Sequence, residues 1–344
     1  MVRTMTVTLD RLSRPLRDLR ISVTDRCNLR CPYCMPREVF GPDHAFLAAE
    51  ALCSFGEITR LCRLFAELGV EKIRITGGEP LLRRDIEQLV AMISPVAGIR
   101  DVALTTNGML LAAKAPALRE AGLSRVTVSL DALDEEVFHA MGDTTLPLGR
   151  VLAGIDAASD AGLAPVKVNM VVRRGVNDHC VLSMAEHFRH RPEILRFIEY
   201  MDVGSTNRWR HEDVVPAAES RRAIEQRWPL ESLAPASPGE VAARYRYRDG
   251  AGEVGFIRSV SQPFCATCTR ARLSADGTLF TCLFATSGED LLGLLRGDAS
   301  DDQLRSRLAE IWGAREDRYS AMRAEQIAAG SSRQEKVEMS YIGG

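Results

Sequence analysis

The chain has 344 residues, 46% of them hydrophobic and 26% charged, with a formal net charge of -2. That length suits one large α/β domain with an appendage or two domains of ordinary size, and the composition excludes a disordered chain or a membrane-embedded one. The near-neutral charge gives no global basic footprint for nucleic acid, so any anion site is local.

No run of about 18 apolar residues occurs, and the start "MVRTMTVTLDRLSR" lacks the apolar stretch and cleavage site of a signal peptide. The nine cysteines are therefore expected in the reducing cytoplasm, where clustered thiols mean metal or catalysis more often than disulfides.

From about residue 19 to residue 200, β-branched runs alternate with helical stretches. The first run, "LRISV", leads into "TDRCNLRCPYCMP", which carries Cys27, Cys31 and Cys34. This i, i+4, i+7 spacing could be one stripe of an amphipathic helix, but Pro32 disfavours helical geometry at Cys31 and points to a loop. Three thiols with no near fourth leave one position of a metal centre open, as a catalytic centre does. His44 completing a zinc site is the alternative.

Next come the amphipathic helix "SFGEITRLCRLFAEL", closed by Gly69, and the strand "KIRIT" with Gly77-Gly78-Glu79-Pro80 behind it. The strands "DVALTT" and "RVTVSL", the helix "VLAGIDAASDA" closed by Gly162, and the strands "VKVNMVV" and "LRFIEY" follow. Strict alternation predicts a parallel sheet. In "LRISVT" one face carries Arg20, Ser22 and Thr24 and the other Leu19, Ile21 and Val23. "KIRIT", "RVTVSLD" and "VKVN" split the same way, with Arg74, Ser129 and Lys167 on the polar faces. Strands buried by helices on both sides read as continuous apolar runs. One polar face in strand after strand instead predicts an incomplete (βα)6 TIM-like barrel with a wet, cationic interior, edge strands facing solvent being the plainer alternative.

After residue 203 the pattern turns loop-like. Candidate strands appear around "VGFIRSV" and in "RARLSADGTLFTC", a hairpin with an Asp276-Gly277 turn. Cys265, Cys268 and Cys282 form a second trio, again one ligand short, and Arg270 and Arg272 share the parity of Cys268. A two-residue turn would place Cys282 opposite Ala271, on the other face, so either the turn is bulged or the strand has ended. The tail is expected to be helical over about 301–326 before "SYIGG". Cys53, Cys62 and Cys180 fall in predicted helices and receive no chemistry, Cys53 and Cys62 being read as core.

The stretch "CNLRCPYC" resembles the radical S-adenosylmethionine superfamily. Within it "LRISVTDRCNLRCPYCMP", "KIRITGGEPLLR", "LTTNG", "VSLDA", "FIEYMD", the second trio with its arginines and the final "GG" are similar to the GTP 3′,8-cyclase family of molybdenum cofactor biosynthesis. Thr269 departs from that pattern, where asparagine is expected. The resemblance implies two 4Fe-4S clusters, one on Cys27, Cys31 and Cys34 and an auxiliary one on Cys265, Cys268 and Cys282. It implies S-adenosylmethionine contacts at Tyr33, Gly78, Ser129 and Met201, and GTP contacts at Arg20, Arg74, Thr105, Lys167, Arg270 and Arg272. Arg20, Arg270, Arg272, Gly343 and Gly344 would serve catalysis.

The implied reaction removes the hydrogen at carbon 3′ of GTP with a 5′-deoxyadenosyl radical and joins that carbon to carbon 8 of guanine. The product would pass to cyclic pyranopterin monophosphate synthase (MoaC), and an electron donor would supply the reductant. Residues 1–203 are expected to form the partial barrel and 204–344 a C-terminal region with the auxiliary cluster. A cytoplasmic enzyme, a homodimer being one possible state, with no nucleic-acid or membrane partner completes the expectation. A peptide-modifying radical enzyme and a zinc-bearing interaction protein are the competing readings.

Overall fold

The structure, a computed structural model, describes residues 7–237, 239–328 and 335–344; residues 1–6 of the N-terminal stretch read above lie outside them. The chain opens with β1 (Asp18–Ser22), then alternates α1 (Phe55–Glu67), β2 (Lys72–Thr76), α2 (Ile86–Ile93), β3 (Asp101–Thr106) and α3 (Leu111–Glu120). There follow β4 (Arg125–Ser129), α4 (Glu135–Gly142), α5 (Gly149–Asp160), β5 (Lys167–Val172), α6 (Val181–Phe188) and β6 (Ile194–Glu199). The physical causes are local. Ser54 caps α1 in a reciprocal capping box with Glu57, and Gly69, at φ 106°, ends the turn beyond it. Ile58, Leu61, Cys62 and Phe65 make the buried stripe of α1.

Strands β1 to β6 pair in sequence and in parallel. The second half adds α7 (Ala217–Arg227), β7 (Leu230–Leu233), β8 (Ala242–Tyr247), β9 (Glu253–Ile257), β10 (Arg270–Leu273), β11 (Thr278–Phe280) and β12 (Glu289–Asp290). One sheet holds all twelve in the order β12-β11-β10-β1-β2-β3-β4-β5-β6-β9-β8-β7. It is an unclosed arc with helices outside. Leu19, Ile21, Ile73, Ile75, Val126, Val128 and Val168 are buried under those helices, as the strand parity predicts.

The β10–β11 hairpin resolves the turn. Arg272 lies opposite Phe280 and Leu273 opposite Leu279, so the loop is three residues, Ala275 to Gly277, with Gly277 at φ 80°. The odd loop length shifts the register by one, and β11 ends before Cys282. Cys282 thereby keeps the parity of Phe280 and its partner Arg272, and the pairing with Ala271 does not form.

Two expectations need correction. Cys53 precedes α1, its N–H donating to Ala275 O at 2.8 Å, and Cys180 lies in a short 3-10 turn before α6; all three isolated cysteines are buried. The expected 301–326 helix is two, with α8 (Leu292–Arg296) before them: α9 (Asp301–Gly313) and α10 (Tyr319–Ala328) are separated by a segment that turns Arg315 into the interior. A last turn, α11 (Met339–Ile342), carries Gly343 into a buried position.

Candidate active site

The concave face of the arc encloses a cavity of about 620 Å³. Arg20 on β1, Arg74 on β2, Thr105 on β3 and Lys167 on β5 all reach its wall, as do Arg270 and Arg272 on β10. Ser129 and Met201 stand at the C-terminal ends of β4 and β6, where parallel barrels carry their chemistry, and also line it. So do Tyr33, Cys265, Cys268, Cys282 and Gly344. Gly78 and Gly343 lie outside the wall.

The wall is strongly cationic. Burial and then repulsion from Arg272, Arg74 and Arg270 hold the Arg20 guanidinium well below its usual range, Asp18 opposing. Burial, then Arg196 and Arg125, bring Lys167 down to about 7; burial and Arg270 bring Arg272 to about 10. Arg74 donates to Thr105 at 3.0 Å and Thr127 at 3.2 Å, but its Nε and that of Arg20 are buried without a hydrogen-bond partner. Orphaned buried donors and mutually depressed cations mark a place that a polyanion would stabilise.

Cys27, Cys31 and Cys34 lie on a turn-rich loop after β1, not on a helix, in keeping with Pro32. Arg30 braces this loop through Cys27 O at 2.7 Å and Phe40 O at 2.7 Å. Burial pushes all three thiols up, Cys27 to about 11 with Glu79 adding to the effect. Both loops suit thiolate-bound iron-sulfur centres, because N–H groups face the sulfurs. Leu29 N–H and Asn107 Nδ2 approach Cys27 Sγ at 3.4 and 3.8 Å, Phe284 N–H approaches Cys282 Sγ at 3.5 Å, and Arg270 Nη2 approaches Cys268 Sγ at 3.2 Å. Burial opposes ionisation of Cys268, yet Arg270 and Arg315 outweigh it and bring the thiol to about 6. Among the described residues no three Cys, His, Asp or Glu side chains lie at the spacing of a single bound metal ion.

Tyr33 is fixed rather than free, its hydroxyl donating to Asp131 Oδ2 at 2.8 Å while Asp131 Oδ1 accepts from Val171 N–H at 2.8 Å. Gly78 has a packing reason to be glycine: a Cβ would stand 2.3 Å from Arg26 O, and one on Gly77 2.5 Å from Thr24 O. The loop after β2 thus lies flat against the loop carrying the first trio. Glu79 secures it from the other side, accepting from Thr106 Oγ1 and Asn107 N–H at 2.7 Å each.

The tail enters this assembly. Gly343 O accepts a hydrogen bond from Arg272 Nη1, and a Cβ on Gly343 would stand 2.3 Å from Thr76 Cγ2. The Gly-Gly end is therefore packed between β10 and the end of β2, where fraying is the ordinary expectation.

Residues 21–188 match the family model of the radical SAM superfamily, and residues 194–321 that of Molybdenum Cofactor Synthesis C. The chain is 54% identical to the GTP 3′,8-cyclase of Acidothermus cellulolyticus, over 97% of this chain and 98% of that protein. It is 47% identical to the GTP 3′,8-cyclase of Staphylococcus carnosus over the same shares. The chain belongs to the GTP 3′,8-cyclase family. Its fold is also similar to that of Streptococcus suis SuiB, at TM-score 0.59 and 15% identity, covering 91% of this chain and 69% of that one.

Arg125, Arg196, Asn169 and Asp131 line the same wall; strand parity put Asn169 and Asp131 on the polar faces without a role, and left Arg125 and Arg196 unnamed. Arg196 donates to Asn169 Oδ1 at 2.9 Å, and burial with Arg74 and Arg125 brings it to about 9. The period-two alternation of "LRFIEY" is the signal that would find Arg196, on the parity opposite buried Leu195 and Phe197. No comparable signal marks Arg14 and Arg315, which hold the second loop through Cys265 O at 2.8 Å and Cys268 O at 3.0 Å.

Proposed function

We propose that this chain is a radical S-adenosylmethionine enzyme that cyclises GTP to (8S)-3′,8-cyclo-7,8-dihydroguanosine 5′-triphosphate, the first step of molybdenum cofactor biosynthesis. The observation that carries the substrate is the cationic wall beside the second thiol trio: Arg20 pairs in register with Arg272, and Asp18 with Arg270. A nucleoside triphosphate brings negative charge to a wall whose arginines and lysines outnumber its carboxylates.

In this reading Cys27, Cys31 and Cys34 hold one 4Fe-4S cluster, and Cys265, Cys268 and Cys282 a second in the region from 204 onward. When bound, the first cluster and S-adenosylmethionine supply the carbon-centred radical that starts the reaction. The chain's own residues do the rest. Tyr33, Ser129 and Met201 shape the cofactor end of the cavity, and Gly78 keeps its loop close. Arg20, Arg74, Thr105 and Lys167 neutralise and orient the triphosphate, and Arg270 and Arg272 stand between it and the second centre. The wall keeps competing hydrogen-atom donors and oxidants away from the sugar radical. An electron donor and, next in sequence, cyclic pyranopterin monophosphate synthase are the partners. Among the described residues no helix is long and apolar enough to cross a membrane.

Anaerobic incubation with GTP, S-adenosylmethionine and a strong reductant tests this. GTP-dependent 5′-deoxyadenosine and an isomer of GTP are expected. Deoxyadenosine with GTP unchanged would overturn the substrate assignment, and zinc without labile sulfide in the anaerobic protein would overturn the reaction class.

A further inference from the structure

The strand β6 is followed by a loop, residues 202–206, that meets the returning tail at several points. Glu338 accepts from Ser205 N–H at 2.8 Å, from Thr206 N–H at 3.2 Å and from the Thr206 hydroxyl at 3.0 Å. Gly204, at φ 66°, makes room for it: a Cβ there would stand 2.1 Å from Glu338 Oε2. Two residues earlier, Lys336 Nζ donates to Asp202 Oδ2 at 2.6 Å and to Asp202 O at 2.8 Å. The same ammonium lies over the Tyr319 and Phe284 rings, which stack on each other at 4.6 Å. Asp202 is buried and also accepts from Arg323 at 2.8 Å and Tyr319 at 2.6 Å, so the anchor on the loop side is rigid.

Both ends of this contact reach the site. The loop begins one residue after Met201, and Phe284 N–H faces Cys282 Sγ. Three residues past Lys336 the tail turns through α11, and beyond it Gly343 O meets Arg272. A short glycine end has no side chains with which to hold itself in a cavity. Apart from the Arg272 bond its position is set by the residues before it, where Ile342 is buried, Tyr341 donates to Asp276 Oδ2 and Val337 N–H donates to Ala285 O at 2.9 Å.

We propose that the 202–206 loop with Lys336 and Glu338 is a clasp that sets the tail in place, making Glu338, Lys336 and Gly204 positioning residues that act through Gly343 and Arg272. This rests on the reading above, in which the Gly-Gly end serves the active site. Burial makes the Lys336 half of the clasp more than a surface ion pair, since Asp202 is 7% exposed and Lys336 Nζ has both a carboxylate and two aromatic faces around it; the Glu338 half lies nearer the surface and holds through three hydrogen bonds.

Hydrogen exchange and steady-state kinetics on the full, cluster-loaded chain test it together. In Glu338→Ala the Ile342 and Gly343 amides, which donate to Glu338 O and Met339 O, should exchange at least ~10-fold faster, while β1–β6 keep their protection. The kcat for cyclisation should fall about tenfold with the KM for GTP changed less than about threefold, since Arg20, Arg74, Thr105 and Lys167, which hold the triphosphate in this reading, are untouched. Gly204→Ala should reproduce this from the loop side, and the double variant should be no worse than either single one, because both remove one contact. Unchanged exchange at residues 342–343 in both variants would overturn the clasp, and faster exchange with unchanged kcat would overturn its positioning role. A wild-type chain that does not cyclise GTP would instead overturn the function, and the exchange result would then decide the clasp alone.

Discussion

Lys167 shows how the cavity's own charge tunes a residue for an anion. Its ammonium, held near 7 by burial and the neighbouring Arg196 and Arg125, is mostly neutral at pH 8 in the free protein. A bound triphosphate reverses the balance and raises it again. GTP binding at pH 8 should therefore take up about one proton, Lys72, held near 8 beside Asp18, acting in the same direction. Affinity should weaken as pH rises above about 7. Calorimetry in two buffers of different ionisation enthalpy reads this directly; a buffer-independent enthalpy at pH 8 would refute it. The sign for folding is the opposite. Between about 7 and 10.5 the unfolded chain holds the proton that folded Lys167 has lost, so this group adds stability as pH rises through that window. Arg272 is the second residue-scale test. Arg272→Ala removes both the tail's partner and a cation of the wall, and should abolish cyclisation while iron and sulfide contents stay at wild-type values.

At the scale of elements, the joint between the loops after β1, β2 and β3 governs the first thiol trio. Gly78→Ala places a methyl 2.3 Å from a backbone oxygen that cannot turn aside, so the trio's loop must move. We expect such protein to fold yet retain about half the iron of wild type, the auxiliary trio being remote from the change. Full iron content would show that the loop yields without losing its ligand geometry. Glu79→Ala leaves the buried Thr106 hydroxyl and the Asn107 and Leu81 amides without their acceptor, which should cost about 2–4 kcal/mol by denaturant titration. The strands themselves were readable because an alternating run announces both a strand and its inward face. The hairpin register was not, since a two-residue and a three-residue reading of "SADGT" differ by one residue and flip the face of Cys282.

Across the whole molecule, the second thiol trio depends on a buried network that joins the N-terminal segment to the chain beyond α9. Asp10 pairs with Arg14 at 2.6 Å and Arg315 at 3.0 Å, with all three side chains shielded from water, and Arg315 lies over the Trp312 ring at 4.6 Å. Asp10→Ala leaves the buried Arg14 guanidinium without a carboxylate and Arg315 with only Asp317 at 3.5 Å, and should destabilise the fold by about 3–5 kcal/mol, seen as a lower Tm. The auxiliary iron should be lost first on warming, because these guanidiniums hold the carbonyls of Cys265 and Cys268.

Local pattern was enough for the six-strand arc, its cationic inner face and the two thiol trios, because alternation, loop punctuation and cysteine spacing are short-range properties of a chain. The meeting of the second trio with Arg20 was beyond it. That contact exists because β10 pairs with β1, and β9 with β6, across about 250 and 60 residues of sequence. The buried place of Gly343, the Glu338 clasp and the Asp10 network have the same origin. Each joins polar groups far apart in sequence that only the folded chain brings within reach, and at Gly343 and Asp10 burial also removes the water that would compete for them.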